Sequence, residues 1–284
     1  MRRSGVPFIS VLVLSLLGFG VACSSDSDSS GSTTTATSEA TTETSSSTPE
    51  ESAEPVTVLV TNDDGVSAEG IDLLTQALDA RDDIELVIVA PLENQSGSGG
   101  KTTEGELVAS ETTTASGLDA TAVAGFPADS VIWALQEGGI EPDLVISGVN
   151  DGQNIGALAD ISGTVGAARQ AAQLGVPAVA TSQGFGDPAD FETAVDATMA
   201  WLDDNIDAVR SGELGTDTVM SINAPTCPAG EVQGEVDAPL AVDSSVDLTA
   251  VDCAGTAEPT DDVTAFVNGW VVFTALPPTG STTG

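Results

Sequence analysis

The residues best suited to chemistry are two adjacent carboxylates, Asp63 and Asp64, in the segment Asn62-Asp63-Asp64-Gly65. This segment follows an apolar, β-branched run over residues 56–61 that predicts a buried strand. Asn, Asp and Gly are the usual residues of turns, so an ordinary turn is one interpretation. Two carboxylates at one point also supply the oxygen ligands that a hard cation such as Mg²⁺, Mn²⁺ or Ca²⁺ needs. The segment alone leaves both interpretations open.

Three other polar segments follow or begin predicted elements in a similar way. Residues 94–100 are rich in Ser and Gly and come after an apolar run, and residues 147–156 come after another. By composition the first of these is a flexible loop. Backbone N–H groups and hydroxyls in such loops also serve to surround an anion or to complete a metal shell. Ser162-Gly163-Thr164 begins a predicted helix, and the free N–H groups of a helix N-terminus bind phosphate.

Short apolar runs alternate with helical patterns and predict the elements that position these loops. Strands are predicted over residues 56–61, 86–90, 144–146, 178–181 and 219–222, and helices over residues 71–78, 131–135, 164–174 and 191–206. Without hairpin signals between them, these strands indicate an α/β fold whose mostly parallel sheet is covered by helices on both faces. Ligands bind beyond the carboxyl ends of such strands, where the polar loops lie.

The predicted domain is divided into two parts. Residues 56–223 form the α/β core, and residues 224–284, which have few helix signals and alternate in Val, form a β-rich C-terminal arm of the same domain.

The chain is strongly acidic, with 44 Asp and Glu against 6 Lys and Arg and a net charge of −38. Nucleic-acid duplexes and anionic membrane surfaces are therefore poor partners, because binding to them depends on Lys and Arg. The same charge opposes a phosphate-bearing substrate, which would need a bound divalent cation as its main attractive charge. A solvated surface suited to a salty medium also explains the acidity and implies no chemistry.

The N-terminus has the layout of a secretory signal: Met1-Arg2-Arg3, an apolar stretch over residues 6–17, and small residues before Cys23. It resembles a lipoprotein signal, in which the cysteine is lipidated. We therefore predict a signal peptide over residues 1–22 and an extracytoplasmic protein that is attached to the cell membrane only by a lipid on Cys23. A transmembrane anchor and a soluble secreted product are the alternatives.

The segment after Cys23 predicts a disordered linker, which extends over residues 23–55. Residues 24–54 consist almost wholly of Ser, Thr, Ala, Asp and Glu and cannot bury enough apolar surface to offset the entropy of ordering. Two further cysteines, Cys227 and Cys253, remain, and in an exported chain such a pair predicts one disulfide. A Cys-based metal site is disfavoured, because the chain has no His and no second close pair of cysteines.

Several motifs in this order resemble those of the SurE family of 5'/3'-nucleotidases. They are Val-Thr-Asn-Asp-Asp-Gly-Val at 60–66, Val-Ala-Pro at 89–91, Pro-Asp-Leu-Val at 142–145, Ser-Gly-Val-Asn at 147–150 and Ser-Gly-Thr-Val at 162–165. The resemblance covers residues 56–276. It implies a Rossmann-like fold, hydrolysis of nucleoside monophosphates, and a homodimer or homotetramer formed through the C-terminal arm.

The resemblance also implies roles for individual residues. A divalent cation, Mg²⁺ or Mn²⁺, would be held by Asp63, Asp64, Ser96 and Asn150, and the phosphate would be lined by Asn62, Asn94, Ser162, Gly163 and Thr164. Asp63 and Asp64 are also the predicted catalytic residues, which orient or deprotonate the attacking water. The sequence departs from the family at Gln95, where many members carry Arg, and at Asp151, which replaces a small residue.

The predicted function is that of a metal-dependent phosphomonoesterase, which hydrolyses nucleoside 5'-monophosphates, with 3'-monophosphates as further substrates, to nucleoside and phosphate. Because the chain has no His, a carboxylate or a metal-bound hydroxide would act as the base. The alternative is an extracytoplasmic lipoprotein that binds a nucleotide or a metal without turnover.

Overall fold

The structure, a computed structural model, describes residues 54–242 and 247–280. Its strands are β1 (Val56–Thr61), β2 (Ile84–Pro91), β3 (Ala109–Thr113), β4 (Asp119–Val123), β5 (Leu144–Asp151), β6 (Ala178–Gln183), β7 (Val219–Ala224), β8 (Gly234–Asp237) and β9 (Trp270–Leu276). Its α-helices are α1 (Glu69–Asp79), α2 (Pro127–Ile132), α3 (Gly163–Gln173), α4 (Phe191–Arg210) and α5 (Asp262–Val267). A π-helical turn (Trp133–Glu137) continues α2, and a 3₁₀ helix (Gly156–Asp160) precedes α3.

All nine strands form one sheet in the order β3-β4-β2-β1-β5-β6-β7-β9-β8. The central strands β2, β1, β5, β6 and β7 run parallel to their neighbours in this group. Strands of this group are buried along most of their length, as expected of a parallel sheet that is covered on both faces. The predicted α/β class with a mostly parallel sheet is confirmed.

Different helices pack on the two faces of the sheet. Val58 and Val60 of β1 pack with Ile71 of α1 on one face, in a cluster that also contains buried residues of α4. Leu59 points to the opposite face and packs with Val165 of α3 and with residues of α2. Alternate side chains of a strand point to opposite faces. The apolar residues of β1 therefore contribute to the hydrophobic clusters on both faces of the sheet.

The structure contains one hairpin that the sequence analysis missed. β3 pairs antiparallel with β4, and the turn between them is closed by a hydrogen bond from Gly117 N–H to Thr114 C=O at 3.1 Å. Gly117 has a φ of 94°, a value that favours glycine. The expectation of strands without hairpins was wrong here. The physical reason is that β3 is an exposed edge strand of sequence ASETT, without the apolar alternation of a core-facing strand.

The C-terminal residues add two strands to the same sheet. β9 pairs antiparallel with β7, and β8 lies beyond β9 at the edge. A third core cluster, which includes Phe266 of α5 and Val272 of β9, anchors this region. The predicted disulfide is confirmed: Cys227 and Cys253 are bonded, with their Cα atoms 5.8 Å apart. The predicted boundary between core and arm lies one residue before the end of β7, and the assignment of residues 224–284 as a β-rich arm of the same domain stays a prediction.

The predicted signal peptide (residues 1–22) and almost all of the linker (residues 23–55) lie outside the described residues. In the part of the chain that the structure describes, no helix has the length and apolar character needed to cross a membrane.

Candidate active site

The turn after β1 is built by Asn62 and Gly65. The buried Asn62 side chain donates from Nδ2 to Gly65 C=O at 2.9 Å and accepts from Gly65 N–H at 3.2 Å. Gly65 has a φ of 102°, which disfavours other residues. The motif Asn-Asp-Asp-Gly is therefore a turn, as its composition indicates, and the turn fixes the directions of the two carboxylates between Asn62 and Gly65. Asn62, a predicted phosphate residue, uses its amide to hold this turn.

Asp63 is buried against the N-terminus of α3. Its Oδ1 accepts a hydrogen bond from Thr164 Oγ1 at 2.6 Å. Gly163 allows this approach, because an added Cβ at position 163 would lie 2.8 Å from Asp63 Oδ2 and 2.7 Å from Ser98 Oγ. The backbone C=O of Asp63 accepts from Gln95 N–H at 2.7 Å. Asp63 thus contacts the start of α3 through its carboxylate and the loop after β2 through its backbone C=O.

Asp64 joins a different set of loops. Its Oδ1 accepts from Asn94 Nδ2 at 3.1 Å and from Ser96 Oγ at 3.4 Å, and its Oδ2 accepts from the backbone N–H of Asp151 at 2.9 Å. Asn94 in turn accepts from Ser96 N–H at 3.0 Å. The loops after β1, β2 and β5 therefore meet at this carboxylate.

Two other predicted site residues use their side chains elsewhere. Asn150 Nδ2 donates a short hydrogen bond to Gly152 C=O, and the residue beside it, Asp151, makes the contact to Asp64. Ser162 is the N-cap of α3, because its Oγ accepts from Val165 N–H at 3.1 Å. The structure thus places Asn150 and Ser162 at the edge of the site without a hydrogen bond to either central carboxylate.

Asp63 and Asp64 both have a raised pKa, so their ionised forms are disfavoured. Burial raises the pKa of Asp63 to about 6 against the opposing hydrogen bond from Thr164, and the neighbouring charge of Asp64 raises it further. Burial also raises the pKa of Asp64, and the charge of Asp151 adds to this effect. A cation bound beside Asp63 and Asp64 would favour the ionised forms of both carboxylates.

The arginines of the described chain do not supply that positive charge, since each is paired with aspartates. Arg81 and Arg210 both contact Asp83, and Arg169 contacts Asp160 at 3.0 Å. The single lysine, Lys101, follows the loop of residues 94–100.

The available donor atoms fit a hard cation. Among the described residues no group of three or more His, Cys, Asp or Glu side chains is arranged to hold a metal. Two carboxylates, a serine hydroxyl and an amide oxygen are ligands that Mg²⁺ and Mn²⁺ accept. Ser98 Oγ and Ser147 Oγ are buried in the described structure without hydrogen-bond partners, and Ser98 Oγ lies with Asp63 against Gly163.

Sequence reasoning missed two residues of this region. Ser98 lies next to Gly163, and Gln183 at the end of β6 donates from Nε2 to Asp151 Oδ1 at 2.6 Å. Gln183 follows a run of small and apolar residues and carried no motif. Its position beside Asp151 depends on the pairing register of β5 and β6.

A family model described as "Survival protein SurE" matches residues 58–243 of this chain. The chain belongs to the SurE family. The "5'-nucleotidase SurE" of Halobacterium salinarum is 41% identical over 193 residues, which cover 65% of this chain and 70% of that protein. The "5'-nucleotidase SurE" of Brevibacillus brevis is 38% identical over 204 residues, or 70% of this chain and 77% of that protein.

A solved SurE structure has the same fold. The crystal structure of the SurE protein from Aquifex aeolicus matches with a TM-score of 0.63 and 27% sequence identity, covering 80% of this chain and 95% of that one. The predicted family and the Rossmann-like fold class are both confirmed.

The predicted export and lipid anchor are corrected by these comparisons. The SurE relatives are named as 5'-nucleotidases, and the names quoted above describe neither a lipoprotein nor an exported protein. These predictions are therefore corrected: the comparisons support a SurE 5'-nucleotidase and do not support a signal peptide, a lipid on Cys23 or an extracytoplasmic location. The predictions depended on a basic start, a short apolar run and small residues before Cys23, and such a pattern in one sequence does not by itself determine where a protein is located.

Proposed function

We propose that this SurE-family chain is a metal-dependent phosphomonoesterase that hydrolyses nucleoside 5'-monophosphates to nucleoside and phosphate. The enzyme class is that of its named relatives, which are 5'-nucleotidases. The observation that carries the proposal is the pair Asp63 and Asp64 at the carboxyl end of β1, where loops from three strands and the start of α3 converge.

The residues that would hold the cation are Asp63, Asp64, Ser96 and Asn150. When bound, a divalent cation neutralises charge on the phosphate and lowers the pKa of an attacking water. The oxygen-only donor set favours Mg²⁺ or Mn²⁺. The net charge of −38 makes such a counter-charge necessary for an anionic substrate.

The chain's own residues would orient the reactants. Thr164 fixes the direction of the Asp63 carboxylate, and donors from Asn94 and Asp151 fix that of Asp64. Either aspartate would orient the attacking water and accept its proton, since the chain has no His for that task. Backbone N–H groups at the start of α3, an 11-residue helix, would stabilise the negative charge of the phosphate.

Phosphate release from AMP would be measured for the wild type and for Asp63→Asn at saturating Mg²⁺ or Mn²⁺. Asn keeps the size of the side chain and removes a charge from the cation site, so metal affinity and turnover are expected to fall together by orders of magnitude. An ordinary turn would accept the same change at little cost.

Asp207→Asn is the matched control, because Asp207 is an exposed residue of α4 whose side chain is 96% accessible. Wild-type activity that persists with a chelator, or an Asp63→Asn enzyme as active as the wild type, would contradict the proposal. Binding of AMP without phosphate release would indicate a nucleotide-binding protein instead.

A further inference from the structure

A large cavity lies beside the carboxylate cluster and is bordered by an exposed aromatic ring. We propose that this cavity is the subsite for the nucleobase, which stacks on Phe185. The inference deepens the function proposed above and rests on it for the position of the phosphate.

The cavity has a volume of about 710 Å³, within the range of about 300–1,000 Å³ found for small-molecule sites. Its walls are the loop after β6, the start of α1, the start of α4 and the segment around Cys227. The residues that carry the argument are Glu69, Phe185, Asp187, Glu192 and Thr226. The cavity is lined by residues that follow the carboxyl end of β6, and Asp63 and Asp64 follow the carboxyl end of the parallel strand β1.

Two successive residues, Asp151 and Gly152, connect the carboxylate of Asp64 to the aromatic ring. Asp64 accepts from Asp151 N–H at 2.9 Å, and the next residue, Gly152, lies against the ring of Phe185. A Cβ at position 152 would be only 2.4 Å from Phe185 Cζ. The path from Asp64 through Asp151 and Gly152 to the ring is on the order of 10 Å, which sets an upper limit on the direct separation. A nucleoside monophosphate, in which one sugar joins phosphate and base, spans a separation of this order.

A second set of hydrogen bonds joins the cavity wall to the cluster. Gln183 donates to Asp151 Oδ1 at 2.6 Å and accepts from Thr226 Oγ1 at 2.7 Å. Thr226 Oγ1 also lies 2.6 Å from Gly184 C=O, so its single proton is shared between the two acceptors. The wall of the cavity and the loop that contacts Asp64 are therefore positioned by one network of buried polar groups.

Phe185 is held in place while much of its ring stays accessible. Its backbone N–H donates to Gln153 Oε1 at 3.0 Å, and one part of the ring packs on Gly152. The residue nevertheless keeps 58% of its surface exposed. A single exposed apolar residue is common on protein surfaces. A fixed aromatic ring on the wall of a cavity is, in addition, a platform on which a base stacks.

The charges around the cavity determine which end of the substrate enters it. Glu69, Asp187 and Glu192 are exposed acidic residues of the wall and repel a phosphate. An uncharged base is compatible with them, and its N–H groups donate to carboxylates. The base therefore occupies the cavity, and the phosphate is directed to the cation site.

The test compares AMP with ribose 5-phosphate, which has a sugar and a phosphate but no base. In Phe185→Ala we expect KM for AMP to rise roughly tenfold through loss of stacking, with ribose 5-phosphate hydrolysed as by the wild type. Phe185→Trp keeps a stacking face and should retain the wild-type KM. Val108→Ala, which shortens another exposed apolar side chain away from the cavity, is the control. It should change the hydrolysis of neither AMP nor ribose 5-phosphate.

An unchanged KM for AMP in Phe185→Ala, or an equal loss of activity on both substrates, would overturn the base subsite and leave the phosphatase in place. If the wild type hydrolyses neither compound, the proposed function fails. Calorimetry with adenosine then decides the subsite by itself. Adenosine that binds to the wild type and to Phe185→Trp but not to Phe185→Ala supports it, and adenosine that binds to none or equally to all overturns it.

Discussion

Thr164 Oγ1 donates a hydrogen bond of 2.6 Å to Asp63 Oδ1, although the two residues are separated by 101 positions in the chain. This contact joins the first turn of α3 to the turn after β1. It ties the candidate phosphate site to the candidate cation site, so that a change at one of them alters the geometry of the other.

Thr164→Val keeps the shape of the side chain and removes the donor. Asp63 would lose the hydrogen bond that favours its ionised form, and the orientation of its carboxylate would loosen. Loss of a partner that orients a ligand typically costs about 10- to 100-fold in metal affinity or activity. We expect a loss of this size in kcat/KM for AMP. Metal affinity, measured by titration, should fall in parallel.

Thr198→Val is the control for this change. Thr198 is a fully buried threonine of α4 that hydrogen-bonds to Thr181 and to Ala194 C=O, away from the site. The Thr198→Val substitution should lower the free energy of unfolding by about 1–3 kcal/mol and leave kcat/KM for AMP unchanged. If Thr164→Val is as active as this control, the contact to Asp63 has no catalytic importance.

Gly163→Ala tests the close approach of α3 to Asp63. The new methyl group would lie within 2.8 Å of both Asp63 Oδ2 and Ser98 Oγ, too close for an unshifted structure. We expect a loss of about 1–3 kcal/mol in the free energy of unfolding from this overpacking. Because the strain falls on Asp63, phosphate release should also fall. Thermal unfolding and AMP hydrolysis measure the two effects.

Gly215→Ala is the matched change, since a Cβ at Gly215 meets no atom within 4 Å. It should be neutral or stabilise by about 0.4–1 kcal/mol. A Gly163→Ala protein that unfolds and reacts like Gly215→Ala would contradict the packing described for Asp63.

Asp72 of α1 is expected to make stability depend on pH. Burial opposes ionisation of this carboxyl, but hydrogen bonds from Thr114, Ser116 and Gln76 outweigh it and hold its pKa below the usual value. Ser116 N–H donates to it at 2.7 Å and Gln76 Nε2 at 3.0 Å. A folded-state pKa below the unfolded value of about 3.9 stabilises the fold above that pH, and this stabilisation is lost as the pH falls through the folded-state pKa.

Asp72→Asn should therefore lower the free energy of unfolding at pH 7 by about 1 kcal/mol. The difference from the wild type should shrink as the pH falls below about 4. Urea unfolding at pH 7 and under acidic conditions would measure it. Asp79→Asn, an exposed change at the end of the same helix, should show little difference at either pH. A deficit in Asp72→Asn that does not change with pH would mean that its charge is not involved.

The sequence by itself determined the sheet and the edge at which the loops meet. Apolar runs such as residues 56–61 are buried on both faces, and only a parallel sheet under two layers of helices satisfies them. Polar loops after consecutive parallel strands then come to one edge, because these strands share a direction. The motifs around Asp63 and Asp64 identified the family, because the residues of each motif lie within a short segment of the chain.

The tertiary structure decided which side chains meet at that edge. Asp151 N–H contacts Asp64, Gln183 contacts Asp151, and Gly152 lies against Phe185, in each case across strands or loops that are distant in the chain. The first contact depends on the pairing of β1 with β5 and the other two on the pairing of β5 with β6, and local periodicity specifies neither register. The edge hairpin of β3 and β4 also depended on the tertiary structure, because its exposed edge strand carries no pattern of burial.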